Sequence, residues 1–221
     1  MDDGAGGKMP GSLARGSETS PRGADILVRG LAKAGVSRLF ALSGNQIMSV
    51  FDACLGAAPG ARPDDAMPIV HTRHEAAAVF MAEAWAQLTG EVGAALVTAG
   101  PGFGNALGAL MAARDSETPL LLLSGDSAVA QDGRGAFQAL DQTAMAAPVV
   151  KAALRPRRPG EVADCLARAL ETALSGRPGP VHLALPADVL RASAGGEEEA
   201  GPAPDLVHAP PAAPSGGEIA A

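Results

Sequence analysis

The chain has 221 residues, of which 47% are hydrophobic and only 3% aromatic, which predicts one domain with an aliphatic core. Its formal net charge of -7 and pI of about 5.0 argue against a general nucleic-acid binder, because such proteins need a basic face to neutralise phosphates. Its two cysteines, Cys54 and Cys165, are far apart and support neither a disulfide framework nor a cysteine-rich metal site. There is no secretory signal and no apolar run long enough to span a bilayer, so we expect a cytoplasmic protein without membrane contact.

Composition divides the chain into a globular core and two polar tails. Residues 1–22 are rich in Gly, Ser, Pro and charged residues, which predicts a disordered segment. Residues 193–221 contain Glu197-Glu198-Glu199 and several prolines, a composition typical of a stiffened linker. The folded domain is therefore predicted to span residues 23–192.

Helix-like and strand-like segments alternate through this core. Apolar residues at helical spacing predict helices at residues 24–34, 46–55, 74–88, 105–114 and 161–174. Short apolar runs predict strands at residues 38–42, 69–72, 93–98, 119–124, 148–153 and 180–185. The runs at 93–98 and 119–124 show no polar alternation, as expected when both faces of a strand are buried. The order predicts an α/β fold in three layers: a doubly wound, mostly parallel sheet with helices on both faces.

Unusual residues cluster directly after four of the predicted strands. Because ligands of doubly wound sheets bind at the carboxyl ends of the strands, this clustering indicates a functional site at that edge. The clusters are Ser43-Gly44-Asn45, Arg73-His74-Glu75, Ala99-Gly100-Pro101-Gly102 and Gly125-Asp126.

Glu75 opens a predicted helix that is apolar almost all round, and such a helix is expected to be buried. Its carboxylate either complements the helix dipole or serves chemistry at the strand edge, and the residues alone leave both interpretations open. His71 and His74 lack the spacing of a zinc-protease motif and a third ligand, so we expect His71 to end a strand and His74 to cap the helix.

The glycine-rich segment from Thr98 to Asn105 follows a predicted strand and matches neither the dinucleotide fingerprint nor the P-loop. It forms either a tight turn or a place where the backbone approaches a flat ligand ring closely. Gly125-Asp126 is superficially similar to a diphosphate–magnesium motif, but the two asparagines that should follow are absent. No metal ligand is assigned in this chain.

Taken in order, these segments resemble the N-terminal, pyrimidine-binding domain of thiamine-diphosphate-dependent enzymes of the acetolactate synthase group. The resemblance covers about residues 23–192. Its motifs are Arg73-His74-Glu75, Gly90-Glu91-Val92-Gly93, Thr98-Ala99-Gly100-Pro101-Gly102, Asn105, Gly135-Ala136-Phe137-Gln138, Asp141-Gln142 and the ending at residues 176–189. Residues 72–78 and 141–148 are also similar to benzaldehyde lyase, while Ser43-Gly44-Asn45 departs from the Pro-Gly of many synthases, so the substrate class stays open.

The resemblance implies residue roles. In the family a glutamate hydrogen-bonds the pyrimidine ring of thiamine diphosphate and thereby helps the cofactor lose its thiazolium C2 proton; here that residue is Glu75. The implied cofactor-binding residues are Gly44, Asn45, Thr98, Gly100, Pro101, Gly102 and Asn105. Phe137 and Gln138 would face the substrate or a flavin, so FAD is a candidate second cofactor.

The resemblance also implies partners. In the family, Mg²⁺ and the diphosphate are held by a separate domain with Gly-Asp-Gly and Asn-Asn motifs, usually in the partner subunit of a dimer, and this sequence has neither motif. We therefore expect an incomplete part of a carboligase or decarboxylase of 2-oxo acids or aldehydes, in a homodimer or with a complementing diphosphate-binding subunit, and an apolar face exposed on the isolated chain. The alternatives are a catalytically silent binding or regulatory subunit and a nucleotide-binding domain, which the missing glycine fingerprint disfavours.

Overall fold

The computed structural model describes residues 20–56 and 66–195, so most of both predicted tails lies outside the described residues. The strands are β1 (Leu39–Ala41), β2 (Ile69–His71), β3 (Gly93–Val97), β4 (Leu120–Asp126), β5 (Ala153–Leu154) and β6 (Pro180–Pro186). The helices are α1 (Gly23–Lys33), α2 (Met48–Cys54), α3 (Glu75–Thr89), α4 (Pro101–Asp115), α5 (Gln142–Ala146), α6 (Glu161–Leu174) and α7 (Ala187–Arg191), with short 3-10 helices at Asn45–Ile47 and Val129–Gln131. In this part of the chain no helix is both long and apolar enough to cross a membrane.

All six strands are parallel and lie in the order β2-β1-β3-β4-β6-β5. From β1 the chain continues to β2 at one edge of the sheet, and from β3 it continues through β4 toward the opposite edge, which β5 and β6 form. The strand order therefore reverses between β1 and β3, and such a point opens a crevice at the carboxyl ends of the two strands. This arrangement confirms the predicted doubly wound α/β fold and fixes where a ligand would enter.

Helices cover both faces of the sheet, so the domain has two apolar layers. One layer contains residues of α1, α2, α6 and α7, and the other contains residues of α3, α4 and α5. The leucines of β4 show why the central strand has no polar alternation. Leu121 and Leu123 point into the first layer, Leu120 and Leu122 into the second, and all four are fully buried. Burial of a leucine side chain contributes about 1.5–3 kcal/mol, so β4 is a main source of stability.

Glycine permits one close contact between β3 and α3. A Cβ atom at Gly93 would lie only 2.3 Å from the carbonyl oxygen of Ala82, which is backbone and cannot move aside cheaply. The contact sets α3 directly over the sheet, and it therefore fixes the position of the first residue of that helix at the carboxyl edge.

Three sequence-based expectations need correction. The strand predicted at residues 148–153 is wrong except at its last residue, because 148–151 form a turn and only Ala153–Leu154 pairs with β6. Helix α4 begins at Pro101, not at Asn105, because proline is well suited to the first turn of a helix. Helix α3 is not buried all round: Phe80, Met81 and Leu88 are 50%, 40% and 84% exposed.

The two segments at the predicted domain bounds contact each other. Arg22 forms ion pairs with Asp25 and Asp52, and it also forms an antiparallel bridge with Ser193. Asp25 is buried, so this network ties the start of α1 to the segment that follows α7. The two cysteines are free thiols, and burial raises the pKa of the Cys54 thiol to about 12.

Candidate functional site

Glu75 is the first residue of α3 and follows the carboxyl end of β2. As expected, β2 ends at His71, and His74 caps the helix by accepting a hydrogen bond on Nδ1 from the N–H of Ala76 at 3.1 Å. The hydroxyl of Thr72 also donates to the His74 carbonyl at 3.2 Å. The turn between strand and helix is therefore fixed by side chains, and it presents Glu75 at the edge of the sheet.

The Glu75 carboxylate is held by Asn105 on α4. Nδ2 of Asn105 donates to Glu75 Oε2 at 3.0 Å, across the contact between the two helices. Among the residues that the structure describes, no other group donates a hydrogen bond to this half-buried carboxylate. Glu75 Oε1 is thus oriented by the protein and remains able to accept a hydrogen bond from a ligand.

Gly102 lets α4 approach this carboxylate and the end of β3. A Cβ atom at Gly102 would lie 2.7 Å from Thr98 Cγ2 and 3.3 Å from Glu75 Oε1. Contacts below about 3.0 Å force a shift, so a larger residue would displace Thr98 and press on the carboxylate. The glycine therefore brings Glu75 and Thr98 together against one backbone position.

Gly100 makes the turn from β3 into α4 in a conformation that favours glycine, with φ 58° and ψ -109°. A Cβ atom there would lie 2.9 Å from the carbonyl oxygen of Gln138, so the loop after β4 closes over this turn. Gln138 itself has φ 60°, which is unusual for a residue with a side chain. Gly100 and Gln138, which the resemblance assigns to the cofactor and to the substrate or flavin side respectively, therefore lie close together.

A hydrogen-bonded chain of side chains crosses the crevice between β1 and β3. The hydroxyl of Thr98 donates to Gln46 Oε1 at 2.7 Å, and Gln46 Nε2 donates to Gln138 Oε1 at 2.8 Å. Gly44 packs against this chain, because a Cβ atom there would lie 2.4 Å from Cβ and Oγ1 of Thr98. The sequence analysis missed Gln46, since a single glutamine at the start of a helix belongs to no motif; its place directly after Ser43-Gly44-Asn45 was the signal.

The structure thus brings most of the predicted site residues together at the switch between β1 and β3. They are Glu75, Asn105, Gly102, Thr98, Gly44, Gly100 and Gln138. Three others are exposed at its border: Asn45, Pro101 and Phe137, the last 82% exposed. Of these three only Asn45 has a polar side chain, and in the described ranges no hydrogen bond links it to the rest of the site.

A separate polar cavity of about 450 Å³ lies beside the loop that follows β4, between Asp126, Asp132 and Arg155. Arg155 donates to the buried Asp126 at 2.6 Å and to Asp132 at 2.9 Å, and its guanidinium holds the pKa of Asp132 below its usual range. Gln142 Nε2 also donates to Asp126 at 3.0 Å. Asp126 is therefore engaged in a structural network, and within the described ranges no group of three or more acidic, His or Cys side chains could hold a metal ion.

Comparison with known proteins agrees with this geometry. Residues 21–145 match the family described as thiamine pyrophosphate enzyme, N-terminal TPP binding domain. The chain is 41% identical over 174 residues to 2-hydroxyacyl-CoA lyase 2 of Danio rerio, which covers 77% of this chain and 26% of that protein. It is 39% identical over 168 residues to the acetolactate synthase isozyme 3 large subunit of Escherichia coli K12, which covers 76% of this chain and 28% of that protein. It is 35% identical over 189 residues to the catabolic acetolactate synthase of Raoultella terrigena, which covers 85% of this chain and 32% of that protein.

The chain therefore spans about a quarter to a third of the length of these relatives. The matched region begins just before α1 and runs past the loop that carries Gln138 into α5, so it includes every residue of the site. The chain belongs to the thiamine pyrophosphate enzymes, as a member of the family of their N-terminal TPP-binding domain.

Proposed function

We propose that this domain binds the pyrimidine ring of thiamine diphosphate at the switch between β1 and β3, with Glu75 as the catalytic residue that activates the cofactor. The observation that carries the proposal is the Glu75 carboxylate itself, oriented by Asn105 at 3.0 Å and left with one oxygen free at the strand edge. Such an acceptor suits a ring nitrogen that carries a proton. A carboxylate that served only the helix dipole would not need this orientation.

The neighbouring residues fit a flat ring. Gly100 and Gly102 bring the backbone of the α4 turn close to Gln138 and Thr98, so that neither of these two positions adds a side chain there. When bound, thiamine diphosphate supplies an electron sink that lets a bond next to a carbonyl group break or form. Glu75 holds a proton at the ring nitrogen, Asn105 keeps the carboxylate in place, and the half-buried setting limits access of water.

The exposed apolar residues support a partner that completes the site. Phe80, Met81 and Leu88 on α3 and Met111 on α4 lie on the outer face of the helix pair that carries Glu75 and Asn105. Large apolar residues side by side on one face are typical of an interface. We propose that this face contacts a second subunit or a complementing domain that holds Mg²⁺ and the diphosphate.

For the reaction we propose a carboligase, lyase or decarboxylase that acts on a 2-oxo acid or an aldehyde. The relatives support both the formation and the cleavage of a bond, since they are named as acetolactate synthases and as 2-hydroxyacyl-CoA lyases. FAD would border the exposed Phe137 if the reaction resembles that of the synthases. The alternative of a catalytically silent subunit is disfavoured because the Asn105–Glu75 hydrogen bond orients a carboxylate that a silent subunit would not need.

The test is thiamine-diphosphate-dependent turnover of the chain assembled with its diphosphate-binding domain or subunit. Glu75→Gln keeps the size of the side chain and should lower kcat by about 100-fold or more, as loss of a general acid or base does. Glu83→Gln is the matched control, because Glu83 lies on the same helix and, among the residues that the structure describes, hydrogen-bonds Gln87 and Ser116 and not the site. Equal activity of both variants, or no cofactor dependence in the unmodified chain, would refute the proposal.

A further inference from the structure

The hydrogen bonds that link Thr98, Gln46 and Gln138 all run in one direction from donor to acceptor. This direction limits which atoms of Gln138 can contact a ligand. A hydroxyl has a single proton to donate, and Thr98 donates it to Gln46 Oε1 at 2.7 Å. The carboxamide of Gln46 is thereby oriented with its NH₂ group toward Gln138, whose Oε1 accepts at 2.8 Å. The carbonyl oxygen of Gln138 is occupied, and in the described part of the chain nothing accepts from its NH₂ group.

Close glycine contacts hold each member of this chain in place. A Cβ atom at Gly44 would lie 2.4 Å from Thr98, one at Gly125 would lie 2.7 Å from Cβ of Gln46, and one at Gly100 would lie 3.0 Å from Cβ of Gln138. The backbone at the carboxyl ends of three different strands, β1, β3 and β4, is therefore packed against the three side chains. Such packing restricts the rotamers and so pre-organises the hydrogen bonds.

Gln138 also carries backbone strain. Its φ of 60° places a residue with a side chain in the left-handed region, which is unfavourable for such a residue and persists only where the surroundings impose it. The loop could avoid this cost with a glycine, as it does at Gly133 and Gly135. The strained conformation therefore serves to place a carboxamide at this point of the crevice.

We propose that Gln46 is a positioning residue that orients the Gln138 carboxamide so that its NH₂ group is the group presented to the substrate. The inference rests on the proposed function and adds the substrate chemistry. The site then selects a substrate oxygen that accepts a hydrogen bond and gains negative charge, such as the carbonyl oxygen of an acyl group, because oriented donors stabilise developing negative charge. A substrate group that can only donate hydrogen bonds at this position, such as an ammonium group, is disfavoured.

The decisive variant is Gln46→Glu, which is nearly isosteric but can only accept hydrogen bonds when ionised. The new carboxylate at position 46 accepts a hydrogen bond and cannot donate one to Gln138 Oε1. The Gln138 carboxamide must therefore turn its NH₂ group toward that carboxylate and present its carbonyl oxygen to the substrate instead. Gln46→Met removes both hydrogen bonds at a similar length and covers the case in which the Glu variant does not fold. Gln87→Glu is the control for the added charge, since Gln87 lies on α3 away from the crevice and hydrogen-bonds Glu83 and Thr118.

The first readout needs no cofactor. In nitrogen-15-labelled full-length chain, the side-chain NH₂ signals of Gln138 should shift in Gln46→Glu and in Gln46→Met, and they should not move in Gln87→Glu. The signals are assigned by their loss in Gln138→Met. Gln138 side-chain NH₂ signals that stay at their wild-type positions in both Gln46 variants would overturn the proposal.

The second readout is the kinetics of the assembled enzyme. We expect Gln46→Glu to lower kcat/KM for the acyl substrate by about tenfold or more, with cofactor affinity within about twofold, since one oriented donor is lost. The double variant Gln46→Glu with Gln138→Met should have about the same kcat/KM as Gln138→Met alone. If the wild-type enzyme is active and Gln46→Glu retains full kcat/KM, the positioning role is overturned and the proposed function stands. If the wild-type enzyme is inactive but the Gln138 signals shift in the Gln46 variants as expected, the proposed function is refuted and the positioning role is supported.

Discussion

His182 lies in the middle of β6, fully buried, and should make the domain less stable in acid. Its Nε2 is 2.8 Å from Ser124 Oγ, its ring centroid is 4.7 Å from that of Phe103, and its Nδ1 has no hydrogen-bond partner within the described ranges. Burial lowers the pKa of His182 from 6.5 to about 3. The folded protein therefore keeps this imidazole neutral at pH values where the unfolded chain protonates it.

The sign and size of the effect follow from this difference. Between the two pKa values, 6.5 and about 3, the unfolded state binds the extra proton, so stability is fully present above pH 6.5 and is lost as the pH falls. Each pH unit well inside this window costs up to about 1.4 kcal/mol. Lowering the pH from about 7.5 to about 5 should therefore remove about 2 kcal/mol through His182 alone, a large share of a typical folding free energy.

Urea unfolding of the full chain at the two pH values, followed by the fluorescence of the single tryptophan, Trp85, measures this loss. His182→Leu removes the titrating group, so the variant should lose about 2 kcal/mol less than the wild type over the same interval. Ser124→Ala removes the partner but keeps the imidazole, and it should retain the full pH dependence. His182→Gln serves if the Leu variant does not fold. An equal loss in wild type and His182 variants would refute the reasoning.

Two further predictions concern close packing and the buried ion pair. Gly44→Ala should lower the free energy of unfolding by about 1–3 kcal/mol, because its Cβ would lie 2.4 Å from Thr98, whereas Gly104→Ala, with nothing within 4 Å, should be neutral or stabilise by up to about 1 kcal/mol. Urea unfolding decides this, and equal effects at both positions would contradict the packing. Asp126→Asn should lower the free energy of unfolding by about 1–3 kcal/mol in the same assay, because Arg155 loses its buried charged partner and keeps the more exposed Asp132 as its counter-ion; a change below about 0.5 kcal/mol would show that this ion pair does not matter.

The fold was predictable because its strands have strong local signals. The uninterrupted leucines of β4 and the amphipathic pattern of α6 identified a doubly buried strand and a surface helix, and α6 spans the residues that the sequence predicted. The turn at residues 148–151 was taken for a strand because short apolar runs do not distinguish the two. Helix α4 was predicted too short because glycines at 102 and 104 weaken a helical pattern that tertiary packing here overrides.

The site was predictable only in part. Glu75, Asn105 and the glycines stand in recognisable motifs at strand ends, so the edge of the sheet could be located. The position of Gln46 directly after Ser43-Gly44-Asn45 marks it only as a neighbour of the site, because its role depends on contacts with Thr98 and with Gln138, which are distant in sequence. The exposed side of α3 was also missed, since an all-round apolar helix looks the same whether the protein itself or a partner covers it.

The central claim is that Glu75 activates the cofactor, and the most direct test is the rate at which the C2 proton of bound thiamine diphosphate exchanges with deuterium in the assembled enzyme. The exchange is stopped with acid after set times and measured by proton NMR. We expect Glu75→Gln to slow the exchange by about 100-fold or more while the cofactor stays bound, and Glu83→Gln to leave it unchanged. Equal exchange rates in wild type and Glu75→Gln, with the cofactor bound in both, would contradict the account.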